Sequence, residues 1–283
     1  MKKFYMILAV LAAMTMSAQA QSLGTVEVGD YANPVETYNA SYFDIAPTNF
    51  YLAHTGAQML YTVDELADMQ DKTDVQITNI SFKFKAEEFY ADIIRNVKIF
   101  MEAVDATEFA VNDDGVKQFF PFDNVVCESH EVYPILDLLG EDVEMNFELA
   151  EPFALEAGKT LLVTIVFDAE DDDNCTSGSF DLPFYTSGIR SKAMVYTNNW
   201  TSFLDYALGD DFPNATAMLG CGTNVELPVT LFDYIYSDGT TGVQEVKAVV
   251  EDGAYYNLMG QKFAEGNMPA GIYIHNGQKV VVR

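Results

Sequence analysis

Between Asn146 and Asp173 the chain reads NFELAEPFALEAGKTLLVTIVFDAEDDD, and at its centre Thr160 to Phe167 place apolar side chains on both faces of an extended chain. Leu161, Val163, Ile165 and Phe167 would point one way, and Leu162 and Val166 the other. A short run of this kind, entered from Gly158-Lys159 and left through an acidic loop, reads as a strand buried on both sides. A chain that contains such a strand must cover it twice, so the core is expected to form around it. Just upstream, Val143, Met145, Phe147 and Leu149 alternate with polar residues as a second strand, which Pro152 is expected to end.

The same alternation recurs along the chain. Val75 to Lys85 alternates with one slip, Val75 and Ile77 on one face and then Ile80, Phe82 and Phe84, which predicts a bulge near Thr78-Asn79. Arg95 to Val104 alternates again, and further strands are expected at Met59–Tyr61, Ser179–Tyr185, Lys192–Thr197, Ala215–Leu219 and Glu226–Tyr236. Gln21 to Phe50 reads as an extended lead-in with one edge strand. One short helix is expected after Thr62-Val63-Asp64-Glu65, where Thr62 can cap the amide three residues on while Glu65 reaches back. Many strands, one short helix and no βαβ alternation predict an all-β fold: an antiparallel β-sandwich of jelly-roll type, with an up-and-down barrel as the alternative.

Residues 1–20 have the form of a secretory signal peptide. Lys2 and Lys3 precede an apolar segment from Met6 to Met14, and Ala18-Gln19-Ala20 is a small-x-small cleavage site. The apolar run is shorter than the roughly 20 residues a bilayer requires, and no Cys follows the cleavage site, so neither a membrane anchor nor a lipoprotein is expected. The chain is expected to cross the inner membrane and to reside in the periplasm, on the outer surface or outside the cell. Beyond residue 20 there remain 13 basic and 43 acidic side chains. That field repels phosphate backbones and anionic lipid, which makes both poor partners, and no later stretch is long and apolar enough to span a membrane, so membrane insertion is not expected. Cys127, Cys175 and Cys221 permit one disulfide and one thiol, or three thiols, and do not make a cysteine scaffold.

The body is expected over 21–236, a linker over 237–242 (Ser-Asp-Gly-Thr-Thr-Gly), and a second β-unit, a small sandwich or hairpin domain, over 243–283. In that tail Asn276-Gly277 is the dipeptide of a two-residue type I′ turn, in which both positions need positive φ. The turn fixes a register of His275 with Gln278, Tyr273 with Val280 and Ile272 with Val281. Ala254 to Phe263 supplies another pair of strands around Met259-Gly260.

Two resemblances follow from these residues. Tyr256-Asn-Leu-Met-Gly-Gln-Lys262, Gly271-Ile-Tyr273 and Lys279-Val-Val-Val-Arg283 make the tail resemble the C-terminal sorting domain of proteins exported by the type IX system of Bacteroidota. This resemblance implies that Gly271, Tyr273, Lys279 and Arg283 belong to a unit recognised by export machinery. The body, through Gly56–Leu66, Ile77–Phe82, Arg95–Phe100 and Pro152–Val163, is similar to the jelly-roll modules of Bacteroidota surface adhesins, including those attached to gingipain-type proteases. That likeness implies binding or adhesion and brings no catalytic residues.

Two clusters are candidates for chemistry. Asp168, Glu170, Asp171, Asp172 and Asp173 crowd carboxylates onto a loop after a rigid strand, and such oxygens suit a structural Ca²⁺. The spacing excludes an EF-hand, whose sixth position would here be Asp173 instead of Gly. Trp200, the only tryptophan, lies in Tyr196-Thr-Asn198-Asn199-Trp200-Thr201 with Tyr185 and Tyr206 nearby in sequence. Aromatic faces beside amides suit a sugar, the ring stacking on C–H groups while Asn orients hydroxyls. His54, His130 and His275 are scattered, Cys127-Glu-Ser-His130 reads as a polar loop, and no nucleophile elbow, phosphate loop or dinucleotide fingerprint is present. The expected class is an exported or cell-surface, non-catalytic protein that binds glycan or protein ligands. The alternatives are a glycoside-active enzyme or its accessory module, which would need two carboxylates facing one cleft, and a structural envelope protein.

Overall fold

The computed structural model describes residues 21–36, 46–48, 52–85, 93–133, 135–169, 184–209, 212 and 221–237, and in the tail 255–257, 262–263, 269, 271–275 and 278–282. Gln21–Gly239 forms one compact body, and Thr240–Arg283 belongs to a separate unit.

The body is a jelly roll. Its four-stranded sheet has the order β1 (Gln21–Val28), β12 (Thr230–Ser237), β4 (Thr73–Lys85), β7 (Asp142–Ala154). Its six-stranded sheet runs β11 (Cys221–Val225), β10 (Ala193–Asn198), β3 (His54–Tyr61), β8 (Thr160–Ala169), β5 (Ile93–Val104), β6 (Val125–Tyr133). A ribbon of β2 (Val35–Glu36) and β9 (Tyr185–Thr186) stands apart. Every paired strand of the body is antiparallel. Apart from the β5–β6 hairpin, successive strands cross between the sheets so that β1-β12-β4-β7 opposes β3-β8-β5-β6, the double Greek key of a jelly roll, with β10 and β11 added beside β3.

One core fills the space between the sheets. Phe82, Phe84, Met145, Phe147 and Phe232 from one side meet Met59, Tyr61, Ile99, Met101, Val163, Ile165 and Phe167 from the other, all within 2% of full burial. Phe147 meets Phe167 with ring centroids 6.3 Å apart, and Tyr61 meets Phe232 edge-on at 4.9 Å. The Tyr61 hydroxyl is satisfied by Thr230 Oγ1 at 2.9 Å, as a phenol in an apolar interior requires.

The doubly apolar β8 is covered on both faces, as its sequence demands, and Thr160–Phe167 are all buried. Its second face carries a third layer. The β5–β6 connection, residues 105–124, and the segment around helix α3 (Phe203–Ala207) lay Phe109, Phe119, Phe203 and Tyr206 over Leu162, Val166, Leu60 and Tyr196. Gln58, fully buried, fastens this layer: its Nε2 donates to Phe120 O at 2.7 Å and to Thr164 Oγ1 at 3.1 Å, while Phe120 N donates to its Oε1 at 2.7 Å.

The bulge expected near Thr78-Asn79 is present. Asp233 pairs with Asn79 and Tyr234 with Ile77, leaving Thr78 extra, its hydroxyl donating to Asp233 O at 3.2 Å. Pro152 does not end its strand. The β4–β7 register jumps from Asn79 with Glu148 to Ile77 with Phe153, so the proline sits in a bulge on an edge strand, where its missing N–H breaks no ladder. The expected helix is α1, Ala67–Gln70. Glu65 does reach back, accepting from Thr62 N at 2.7 Å, but Thr62 Oγ1 donates to that same carboxylate, and Leu66, not Thr62, is the N-cap. A second helix, α2 (Ile135–Leu138), and α3 were not foreseen, and Cys127-Glu-Ser-His130 is part of β6 and not a loop. The strands expected at Ala215–Leu219 and over most of Ser179–Tyr185 lie outside the described residues.

The tail unit is one four-stranded antiparallel sheet among the described residues, ordered β14 (Lys262–Phe263), β13 (Tyr255–Asn257), β15 (Gly271–His275), β16 (Gln278–Val282). The hairpin register is the one the Asn-Gly turn dictates: His275 with Gln278, Tyr273 with Val280 and Ile272 with Val281. Tyr273 is buried and its hydroxyl donates to Pro269 O at 2.8 Å, while Tyr255 stacks on His275 with centroids 4.1 Å apart. Gly271 pairs with Val282 and Lys279 with Ile274. Arg283 lies outside the described residues.

Candidate ligand-binding rim

The strand registers bring together, at one end of the six-stranded sheet, residues far apart in the chain. Asn198, His54, Asp168, Asn96 and His130 are direct cross-strand neighbours on β10, β3, β8, β5 and β6. Cross-strand neighbours share a sheet face, so the five make one polar row at the edge of the aromatic third layer. Two of the three histidines belong to it. His54 Nδ1 lies 2.9 Å from Asp168 Oδ1, and His130 Nδ1 lies 3.1 Å from Asn96 Oδ1.

Asp168, the first member of the acidic loop, and the Trp200 segment therefore meet. The second oxygen of Asp168 accepts from Ser202 Oγ at 2.8 Å, and Ser202 in turn caps α3 by accepting from Leu204 N at 3.2 Å. Asn198 Oδ1 accepts from Trp200 N at 2.8 Å and Thr201 N at 3.2 Å. The Tyr196 hydroxyl donates to Thr201 O at 2.9 Å, and Ala53 N donates to Asn199 Oδ1 at 3.4 Å. Beneath the loop Phe203 packs flat against Gly56, where a Cβ would come within 2.4 Å of the ring. The backbone on either side of Trp200 is thus held by side chains of β8 and β10 and by the main chain just before β3, yet Trp200 is 84% exposed. Leu208, at the C-cap of α3, is 87% exposed.

Of the residues singled out for sugar contact, Trp200 alone presents a free aromatic face. Tyr196 is buried and stacks on Tyr206 with centroids 5.1 Å apart. Tyr185 is buried in a separate cluster with Tyr31 and Val229, its hydroxyl donating to Asp142. Asn198 and Asn199 use their side-chain oxygens to shape the loop. Glu170, Asp171, Asp172 and Asp173, with Cys175, lie outside the described residues. Among those described no three His, Cys, Asp or Glu side chains converge on a metal-sized space. Cys127 is a buried free thiol, which burial first, then Glu131 and Glu128, push above the usual thiol range.

His54, Asp168 and Ser202 have the composition of a hydrolase triad but not its order. Nucleophilic catalysis needs the imidazole between serine and carboxylate, to take the hydroxyl proton. Here the carboxylate lies between, and Ser202 donates to Asp168 rather than to His54. Among the described carboxylates, burial raises the pKa of Glu102. Its Oε1 accepts from Asp123 N at 3.0 Å and Asn124 N at 3.2 Å, which ties the third layer to β5. Sequence reasoning passed over Arg95, Gln58 and Glu102. Arg95 is fully enclosed, donating to Ile94 O at 2.8 Å and Leu52 O at 3.4 Å. Each looked like an ordinary polar position of an alternating strand, and only tertiary packing encloses Gln58 and Arg95 and half-buries Glu102.

No protein-family model matches the chain, and no curated protein matches it. Among the described residues no helix is long and apolar enough to cross a membrane.

Proposed function

We propose that this is an exported, non-catalytic binding protein whose jelly-roll body presents Trp200 to a glycan or protein ligand. The observation that carries the reading is the contrast between a tryptophan 84% exposed and a loop fastened to β8 and β10. A large aromatic on a fastened backbone has only its two side-chain torsions left to lose when a partner covers it, which suits it to act as an interface hot spot. The exposed Leu208 on the same segment extends the apolar contact, and the neighbouring polar row offers amides, imidazoles and a carboxylate for hydroxyls or backbone groups. The inverted order of His54, Asp168 and Ser202 favours binding over hydrolysis at this rim.

The signal-like leader, the sorting-like tail and the body's likeness to Bacteroidota adhesin modules support export to the cell surface, with the tail as the part read by export machinery. Four basic and four acidic residues fall within Thr240–Arg283, so nearly the whole negative charge resides in the body. A structural Ca²⁺ at the loop that begins with Asp168 belongs to this reading as a further proposal, tested by a thermal shift on adding Ca²⁺. The test of function is binding of the full chain and of Trp200→Ala to arrayed glycans and immobilised matrix proteins. The reading expects a ligand whose signal falls at least about thirtyfold in the variant, the loss of one hot spot of about 2 kcal/mol. Equal signals from both proteins would overturn it. Truncation of residues 243–283 is expected to abolish surface display without unfolding the body.

A further inference from the structure

A surface hollow is built where α1 meets β1 and β12. It has a volume of about 260 Å³ and is lined by Thr25, Asp68, Asp71, Lys72, Tyr234 and Tyr236. Its construction is specific. Gly24 forms the rim because Tyr234 occupies the place of a side chain there, a Cβ at residue 24 falling 2.4 Å from the ring. The Tyr234 hydroxyl donates to Asp68 O at 3.1 Å and so ties α1 to the sheet. Tyr236 lies beside Tyr234 with centroids 5.7 Å apart, half-buried against the core. Lys72 holds its ammonium 5.6 Å from the Tyr236 centroid and 2.8 Å from Asp71 Oδ1.

We propose that this hollow binds a single neutral sugar ring. Its volume falls below the roughly 300 Å³ at which pockets for drug-sized molecules begin, which leaves room for one small ring. The lining combines an aromatic face with two carboxylates, an ammonium and a threonine hydroxyl, the groups that pair with adjacent hydroxyls while a ring packs on C–H bonds. Charge selects further. Two carboxylates against one lysine disfavour a phosphate or carboxylate ligand, and the lysine beside the tyrosine disfavours a cation that would otherwise seek the ring face. Lys72 sits on a flexible stem, so its ammonium can leave the tyrosine for a ligand hydroxyl. The site is independent of Trp200, and neither reading needs the other.

The test is amide chemical-shift mapping on the full chain with neutral methyl glycosides at millimolar concentration. Shifts centred on Gly24, Thr25 and Asp68–Lys72 are expected, with binding weakened about tenfold, the worth of one good contact, in both Asp71→Asn and Tyr236→Ala. Trp200→Ala should leave these shifts unchanged. The Asp71 side chain is largely exposed, so its variant remains folded and interpretable even if Tyr236→Ala does not. The proposal is overturned if no glycoside moves these amides, if the shifts map elsewhere, or if inorganic phosphate or tetramethylammonium moves them and the glycosides do not.

Discussion

Gly56→Ala tests how the rim is attached to the sheet. The new methyl would lie 2.4 Å from Phe203 Cδ1 and Cγ and 2.6 Å from its Cβ, about 1 Å inside the contact distance of two carbons. The obstruction is the root of the ring, not its flexible end, so a rotamer change does not relieve it. Phe203 is also confined by Phe119 at 4.9 Å, Phe122 at 5.4 Å and Tyr196 at 5.3 Å. Either β3 or the α3 segment must move. Overpacking of this kind costs about 1–3 kcal/mol, with the roughly 3–5 kcal/mol of a buried Phe→Ala change as the ceiling if the segment detaches. Urea denaturation of the wild type, Gly56→Ala, Phe203→Ala and the double variant closes a cycle. The double variant should cost about 1–3 kcal/mol less than the sum of the singles, because removing the ring removes the clash. Strict additivity would refute the packing of Phe203 on Gly56, and with it the account of how the loop that carries Trp200 is attached.

Other consequences follow from the same contacts. Gln58→Leu strands the buried N–H and C=O of Phe120 and should destabilise by about 2–4 kcal/mol, read from the shift of the urea midpoint. Glu102→Gln keeps an acceptor for Asp123 N and Asn124 N while removing a carboxylate whose pKa burial raises. A raised carboxyl pKa means that the folded state loses stability as pH rises from the ordinary carboxylate range through the folded value. The variant should therefore be the more stable at neutral pH, by at most about 1 kcal/mol given solvent screening, and equal to wild type in acid; a variant less stable at neutral pH would contradict this. Cys127, buried with its pKa raised, should resist alkylation in the native state until pH exceeds the usual thiol range, as peptide mass mapping would show; rapid labelling at neutral pH would place it elsewhere.

Local pattern carried the sandwich a long way. The period-two alternation of β4, β5 and β7 named their inward residues, the doubly apolar β8 announced a layer on each side, and Asn276-Gly277 fixed the tail register because positive φ at two adjacent positions admits few turns. What failed was non-local. Pro152 was read as a stop because sequence does not show that β7 is an edge strand with a bulge available. Cys127-Glu-Ser-His130 reads as a polar loop because Glu128, Ser129 and His130 are polar, although it lies within β6 and Cys127 is buried. At the rim, sequence singled out Trp200 and Asp168 separately. Their meeting depends on the β10-β3-β8 register and on Ser202 capping α3, neither of which leaves a local mark. The aromatic side chains of Tyr185 and Tyr196 looked equivalent to Trp200 by composition, but their strand positions turn them inward.

Trp200 is the only tryptophan, so its fluorescence reports on the rim alone. The direct measurement is a titration of the full chain with whichever glycan or matrix protein it retains, following emission and binding heat together. The account predicts emission typical of a water-exposed indole before binding, then a blue shift that saturates in step with the heat, and an affinity about thirtyfold weaker for Trp200→Ala. Binding that saturates while the emission of Trp200 stays unchanged would contradict it.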